Sequence, residues 1–311
     1  MKNSPLIILI DGHSLAFRAY YAFAKGRDGG LKTKSGIPTS VCFGFLKSLL
    51  ELIATQKPDS MAIAFDLGLP TFRHQADHTY KSDRPDTPED FITDLGNLQE
   101  LLTALNIPIF TAINYEADDV LGTLAIMASN QGYSVKIVSG DRDLFQLVDD
   151  EKNISVLYLN KNFLKSNDHN SLNAITSKEV IEVLGVLPTQ VVDYKSLCGD
   201  SSDLIPGVSG IGAKTAVKLI KQFGSLDNIY NSLNQIKGAN KTNLEKGKES
   251  AYHSQNLAKI VTDININVDW EQCKLTGFDQ DVLIRLLEKL EFKVFLNKLR
   301  DIQTALGGEN P

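Results

Sequence analysis

The chain is 311 residues long, 42% hydrophobic and 23% charged, which suits a globular protein of one or two domains and excludes a disordered or fibrous one. Three scattered cysteines, Cys42, Cys198 and Cys273, give no disulfide framework and no zinc-binding pair, and suit a reducing, cytoplasmic setting. The formal charge of −6, taken whole, weighs against a nucleic-acid partner.

In chain order, residues 6–10 (Leu-Ile-Ile-Leu-Ile) form a short continuous apolar run of the kind found in a buried parallel strand. The run is too short for a signal peptide, and no later stretch reaches the roughly 18 apolar residues of a membrane helix. It stops at Asp11-Gly12-His13-Ser14. Residues 15–23, which include Phe17 and Arg18, have helical spacing, and residues 39–54 predict a strongly amphipathic helix. A second buried strand over 61–65 ends at Asp66. Residues 67–86 are polar and irregular, with Arg73, His74, Tyr80, Lys81 and Arg84. Thr87-Pro88-Glu89-Asp90 starts the next helix, with a capping Thr, Pro at the first position and acids in the first turn. That helix runs to about 105, and a strand is expected over 107–112. A further strand over 134–138 leads into Ser139-Gly140-Asp141-Arg142-Asp143, and a last strand lies over 154–159.

This alternation predicts an α/β fold, a mainly parallel central sheet with helices on both faces, over residues 1–175. Residues 176–311 read as an all-helical part. Thr176 and Glu179 form a capping box, residues 191–197 a second helix, and short helices continue to about 306 before a frayed tail over 307–311.

The stretch Tyr115-Glu116-Ala117-Asp118-Asp119 organises the rest. Three carboxylates within four positions open a helix whose next turns are apolar (Val120, Leu121, Leu124, Met127). Acids in a first turn complement the helix dipole, but three against a buried helix repel each other unless a cation lies between them. Asp11, Asp66, Asp141 and Asp143 fall at or just after other strand ends, the edge where parallel sheets bind ligands. Seven carboxylates from four strand ends on one edge exceed what capping explains and point to a shared metal site.

In the helical part, Pro206-Gly207-Val208-Ser209-Gly210-Ile211-Gly212-Ala213-Lys214-Thr215 fails as a nucleotide-binding P-loop, because Ala213 precedes the Lys and no strand precedes the loop. The pattern resembles a helix–hairpin–helix element over about 191–223. Its glycines leave N–H groups unblocked and a helix N-terminus offers donors to a DNA phosphate. Lys214, Lys218 and Lys221 add charge.

Taken together, Ile-Asp-Gly-His-Ser, Ala-Phe-Asp, Thr-Phe-Arg-His, Tyr-Lys-x-x-Arg, Tyr-Glu-Ala-Asp-Asp, Gly-Asp-x-Asp, Gly-Asp-x-x-Asp and the hairpin glycines resemble, in order, the 5′-nuclease domain of bacterial DNA polymerase I in the flap endonuclease superfamily. The resemblance spans about residues 6–306. It implies metal ligands at Asp11, Asp66, Glu116, Asp118, Asp119, Asp141, Asp143, Asp200 and Asp203, the last two added by the resemblance alone. It further implies an arch over about 67–105 in which Lys81 and Arg84 contact the scissile phosphate. Phe17, Arg18, Arg73 and Tyr80 become DNA contacts, with Gly207, Gly210, Gly212, Lys214 and Thr215 at the hairpin. One departure stands out: the family usually has Asn after the last ligand, and Leu204 occupies that position.

Setting those nine acids aside from the 38 leaves 29 against 32 Lys and Arg, so a basic DNA-binding surface elsewhere is compatible with the overall charge. An all-oxygen ligand set suits two Mg²⁺ or Mn²⁺ ions, and a monovalent cation such as K⁺ is expected at the hairpin. The implied activity is two-metal 5′→3′ exonuclease and 5′-flap endonuclease cleavage of DNA, including RNA primers on DNA, by a monomer working with a polymerase on the same or another chain. The chief alternative is a catalytically silent DNA-binding module that positions a polymerase. A ribonuclease of related architecture fits the arch and hairpin less well, and an aspartyl phosphatase would need a second Asp two residues after Asp11.

Overall fold

The computed structural model describes residues 4–24, 30–159 and 174–305. The sheet begins with β1 (Leu6–Asp11), followed by α1 (Gly12–Phe23), α2 (Ser40–Gln56) and β2 (Ser60–Ala64). Then come α3 (Phe72–Ala76), α4 (Glu89–Ala104), β3 (Ile109–Phe110), α5 (Ala117–Asn130), β4 (Ser134–Ser139), β5 (Ile154–Tyr158) and β6 (Ala174–Ile175). The strand order is β3-β2-β1-β4-β5-β6, parallel throughout except for antiparallel β6.

Because side chains alternate along a strand, each central strand feeds two cores. Ile7 and Leu9 of β1 pack with Ala62 and Ala64 of β2 and with Val120, Leu121 and Leu124 of α5. Ile8 and Ile10 pack with Met61, Ile63, and the α2 residues Phe45 and Leu49 on the opposite face. All eight strand residues named are at most 1% exposed. Thr39, at the N-terminus of α2, makes no side-chain cap; Asp94 reaches across from α4 to accept from the N–H of Val41 at 2.5 Å and of Cys42 at 3.4 Å.

The helical part comprises α6 (Ser177–Leu184), α7 (Val191–Cys198), α8 (Ala213–Phe223), α9 (Leu226–Asn231), α10 (Gly238–Lys246), α11 (Lys248–Ala258), α12 (Gln280–Lys289), α13 (Lys293–Leu296) and α14 (Leu299–Ala305). The Thr176–Glu179 capping box opens α6 as expected, with the Thr176 N–H donating to Glu179 at 2.9 Å. Val180, Val191, Leu197, Leu219 and Ile229 join the α5 side of the sheet's core, while Leu283, Leu287, Phe292 and Phe295 return to the α2 side.

The sequence reading departs from this fold in five places. Pro88 rather than Thr87 stands at the N-cap of α4, and no side chain caps it. Segment 67–86 contains the helix α3, the strand over 107–112 shrinks to two residues, and Ile154–Tyr158 is followed by β6. Residues 259–275, read as helical, instead cross α5 without regular structure and then turn over 270–273. There the Thr123 hydroxyl accepts from Ile264 N–H at 3.3 Å, and the strand edge is reached when Met61 N–H donates to Cys273 C=O at 2.8 Å. Gly122 makes room for this crossing, since a Cβ there would lie 2.8 Å from the Ile260 Cγ2. The expected frayed tail lies outside the described residues.

Candidate active site

The carboxyl ends of the parallel strands open onto one cavity of about 1130 Å³. Asp11 ends β1 and caps α1, accepting from Ser14 N–H at 2.9 Å, while the Ser139 hydroxyl at the end of β4 donates to its other oxygen at 2.6 Å. Asp66 follows β2 and accepts from Ala117 N–H at 2.6 Å. Glu116 is the N-cap of α5, with Asp118 in its first turn. The turn after β4 is pinned by Asp141 N–H donating to Ser139 Oγ at 3.0 Å and Asp143 N–H donating to Asp141 at 2.9 Å. Asp200 and Asp203 come from the loop between α7 and α8, which closes through paired backbone bonds between Asp200 and Ile205. All eight of these acids line the cavity.

Such a concentration of acid cannot be fully ionised without positive charge. Burial pushes the Asp11 carboxyl up to about 7, with Asp66 and Asp141 adding to the shift and the bonds from Ser139 and Ser14 opposing it. Burial and then Asp141 raise Asp143 to about 7 despite Lys195, and burial with Asp141 and Asp11 lifts Asp118 well above the ordinary range. Three cations answer this charge. Lys81 Nζ donates to Glu116 at 3.0 Å and lies 3.8 Å from Asp203; Arg84 donates to Asp203 at 2.7 Å. Lys195, on α7, bridges Asp143 and Asp200, at 2.6 Å from the latter. At Asp200, burial is outweighed by Lys195 and Ser202, and the carboxyl drops to about 2. Among the described residues no three acidic side chains converge as a ready-made metal cage; the ammonium groups sit between them instead.

Residues 6–185 match the family described as 5′-3′ exonuclease, N-terminal resolvase-like domain, and residues 186–281 match the 5′-3′ exonuclease C-terminal SAM fold. The chain belongs to the 5′-3′ exonuclease family. A DNA polymerase I of Synechocystis sp. is 57% identical over 298 residues, covering 96% of this chain and 30% of that protein. The DNA polymerase I of Bacillus subtilis is 37% identical over 300 residues, covering 96% and 33%. The chain thus spans about a third of the length of these curated relatives. Among solved structures, T5 5′-exonuclease with bound zinc aligns at a TM-score of 0.67 and 21% identity, over 92% of this chain and 98% of that one. Flap endonuclease-1 from Methanococcus jannaschii aligns at 0.60 and 18%, over 98% and 92%, and these two likenesses show a shared fold.

Several residues of this exonuclease-family chain lie where their sequence reading did not put them. Asp119 is fully buried and does not line the cavity. Its oxygens accept from Arg73 at 2.7 and 2.8 Å, from Glu116 N–H at 3.0 Å and from Val261 N–H at 2.8 Å. With these four bonds Asp119 serves in this structure as the counterion of Arg73, set back from the cavity that the other eight acids line. Arg73, expected at the DNA, is 2% exposed in this structure and also donates to Leu257 C=O at 2.8 Å and Lys259 C=O at 2.7 Å, tying α3 and α5 to the end of α11. Tyr80, expected at the DNA, is 3% exposed in this structure, packed against Ile205, Leu257 and Ala258, and its hydroxyl donates to Glu116 at 3.2 Å.

Phe17 does line the cavity, but stacks on Phe91 at 4.1 Å and 11°. Arg18 packs under the turn after β4, with its guanidinium 2.6 Å from where a Gly140 Cβ would stand. At the hairpin, Gly207 is buried and spends its N–H on Ser254 at 2.9 Å, whereas Gly210, Gly212 and Lys214 are exposed and Thr215 half-buried in the first turn of α8. The φ angles of +63° at Gly207 and +81° at Gly210 explain those two glycines. His13 takes no charged role: burial lowers its pKa, and Nδ1 accepts from Asp66 N–H at 3.2 Å, so the 3.3 Å approach to the Asp66 carboxylate is not an ion pair at neutral pH. Lys195 was the residue that sequence reading missed. Its one signal was a Lys in a helix flanked by the buried Val191, Ser196 and Leu197, five residues before Asp200.

Proposed function

We propose that this protein is a divalent-metal-dependent 5′→3′ exonuclease and structure-specific 5′-flap endonuclease that hydrolyses phosphodiester bonds of DNA and of RNA primers on DNA. The observation that carries the reading is the meeting, in one cavity, of six carboxylates from strand ends and the start of α5 and two from the loop between α7 and α8, interleaved with Lys81, Arg84 and Lys195. The donor set is all oxygen and in excess of its internal cations, which fits hard ions such as Mg²⁺ or Mn²⁺. Asp11, Asp66, Glu116 and Asp118 would hold one ion, and Asp141, Asp143, Asp200 and Asp203 a second. When bound, two such ions supply Lewis acidity on both sides of an in-line displacement at phosphorus.

The chain's own residues do the rest. Lys81 and Arg84, already at the carboxylates, can turn to the phosphoryl oxygens, where negative charge grows in the transition state. Lys195 keeps Asp143 and Asp200 facing each other. The exposed N-terminus of α8 offers N–H donors to the DNA backbone, with a K⁺ ion as a further bridge, and recognition is of shape rather than base sequence. DNA with 5′ flaps or nicks is the partner, the protein acts as a cytoplasmic monomer, and a polymerase on the same or another chain would extend the trimmed end. The test is a 5′-labelled flap duplex incubated with Mg²⁺ or EDTA, beside Asp118→Asn. Short products that need Mg²⁺ and disappear in the variant are expected. A flap that is bound but stays intact in both Mg²⁺ and Mn²⁺ would leave the silent DNA-binding module instead.

A further inference from the structure

Among the described residues five basic side chains line the cavity: His13, Lys81, Arg84, Arg142 and Lys195. His13 is neutral and engaged with Asp66, and Lys81, Arg84 and Lys195 are each paired with a carboxylate. Arg142 differs. Among the described residues it makes no ion pair, although it stands in sequence between Asp141 and Asp143. Its backbone is nonetheless fixed: φ −79° and ψ −11° place it at the head of a short 3₁₀ turn, and its carbonyl accepts from Phe145 N–H at 3.1 Å. The neighbouring acids are pinned on both sides by the bonds to Ser139 and Asp141. A side chain springing from so rigid a turn keeps a defined reach.

The surroundings indicate what it reaches for. Arg142 lines the cavity together with Tyr194 and with Ala213, the first residue of α8, and its positive charge opposes the rise that burial gives the Tyr194 phenol. The cavity lining therefore extends from the carboxylates to the start of α8, and Arg142 sits on a different element from the segment that carries Lys81 and Arg84. A polyanion approaching eight carboxylates needs positive charge that those carboxylates have not already taken, and a guanidinium binds a phosphate through paired, directional donors.

We infer that Arg142 is a substrate-binding residue that holds a DNA backbone phosphate next to the scissile one, on the hairpin side of the cavity. The assignment rests on the nuclease reading above and adds a residue to it. It fixes where the duplex sits relative to the carboxylates, so its loss weakens capture of DNA while the groups around the scissile bond stay in place.

The experiment compares the unmodified protein with Arg142→Ala and Arg142→Lys on a 5′-fluorescein flap duplex. Equilibrium binding is followed by anisotropy in EDTA, and kcat and KM are measured in Mg²⁺, both at several salt concentrations. For Arg142→Ala, KM should rise about tenfold with kcat within twofold of the parent. Its log-affinity against log-salt slope should become shallower by about one, the mark of one lost phosphate contact. Arg142→Lys, which keeps the charge, should retain the parental slope and recover part of the KM. The side chain is exposed, so the melting temperature should not move. Unchanged KM and slope in Arg142→Ala would overturn the assignment, as would a fall in kcat at constant KM, which would place Arg142 in the service of the carboxylates. If the unmodified protein neither binds nor cuts the flap, the nuclease reading itself fails. If it binds and cuts but the variants match it, only the role of Arg142 does.

Discussion

Leu204 has φ +56°, in the left-handed region where a branched aliphatic side chain is strained and Asn is at home. That conformation gives a physical reason for the Asn that the family resemblance implies after the last acid of the loop. Leu204→Asn should therefore raise stability by about 0.5–1 kcal/mol, read as a higher melting temperature with unchanged cleavage. At Asp119 the physics is opposite. Removing Arg73 leaves a carboxylate buried without its partner, so Arg73→Met should cost about 3–5 kcal/mol in chemical denaturation. Asp119→Asn should also destabilise, but at a temperature where it is folded its Mg²⁺ titration midpoint should match the parent's; a large shift would restore Asp119 as a ligand. The sequence shows three acids together but not which way each points. Successive helical residues turn by about 100°, so Asp118 can face the cavity while Asp119 faces the core. What the spacing did contain, unread, was the capping relation between Glu116 and Asp119, three residues apart.

At the scale of elements, Asp94 of α4 supplies the cap that the N-terminus of α2 lacks, and burial raises its carboxyl to about 6 against hydrogen bonds from Val41 and Cys42. A carboxyl whose folded pKa lies above its unfolded one contributes stability that is complete below about pH 4 and lost as pH rises through 6. Asp94→Asn, which keeps an acceptor and removes the charge, should gain on the parent by on the order of 1–2 kcal/mol between pH 4 and pH 8, measured by urea denaturation at both. Gly122 gives a second element-level test. In an exposed helix Gly→Ala stabilises by about 1 kcal/mol. Here the new methyl would meet Ile260 and Thr262 of the crossing segment, so Gly122→Ala should destabilise by about 1–3 kcal/mol. The strands and long helices were legible because their periodicity is strong. The crossing over 259–275 was not, because its conformation is set by α5 and by the edge of β2, neither of which leaves a periodic mark in that segment.

For the whole molecule, the two family-matched segments meet at 185/186, yet the cores do not divide there. Val180, Val191 and Leu197 belong to the core built on β1 and α5, and the last helices complete the core built on α2. A fragment of residues 1–185 should accordingly lack a cooperative thermal transition and bind a hydrophobic dye, whereas residues 1–305 should melt in one step. The parallel α/β architecture and the convergence of strand-end acids could be read from the sequence. The shared core could not, since nothing in the spacing of Leu283 or Phe292 says which distant face they will cover.

That return of the last helices to the first face of the sheet sets an order of events during synthesis. Residues 1–175 leave the ribosome with Phe45, Leu49 and their neighbours still awaiting Leu287, Phe292 and Phe295, more than a hundred codons downstream. The carboxylates at the strand ends are likewise incomplete until Asp200 and Asp203 emerge. A nascent chain halted midway therefore carries uncovered apolar surface and an unfinished site, the state in which a chain of this size is most prone to aggregate.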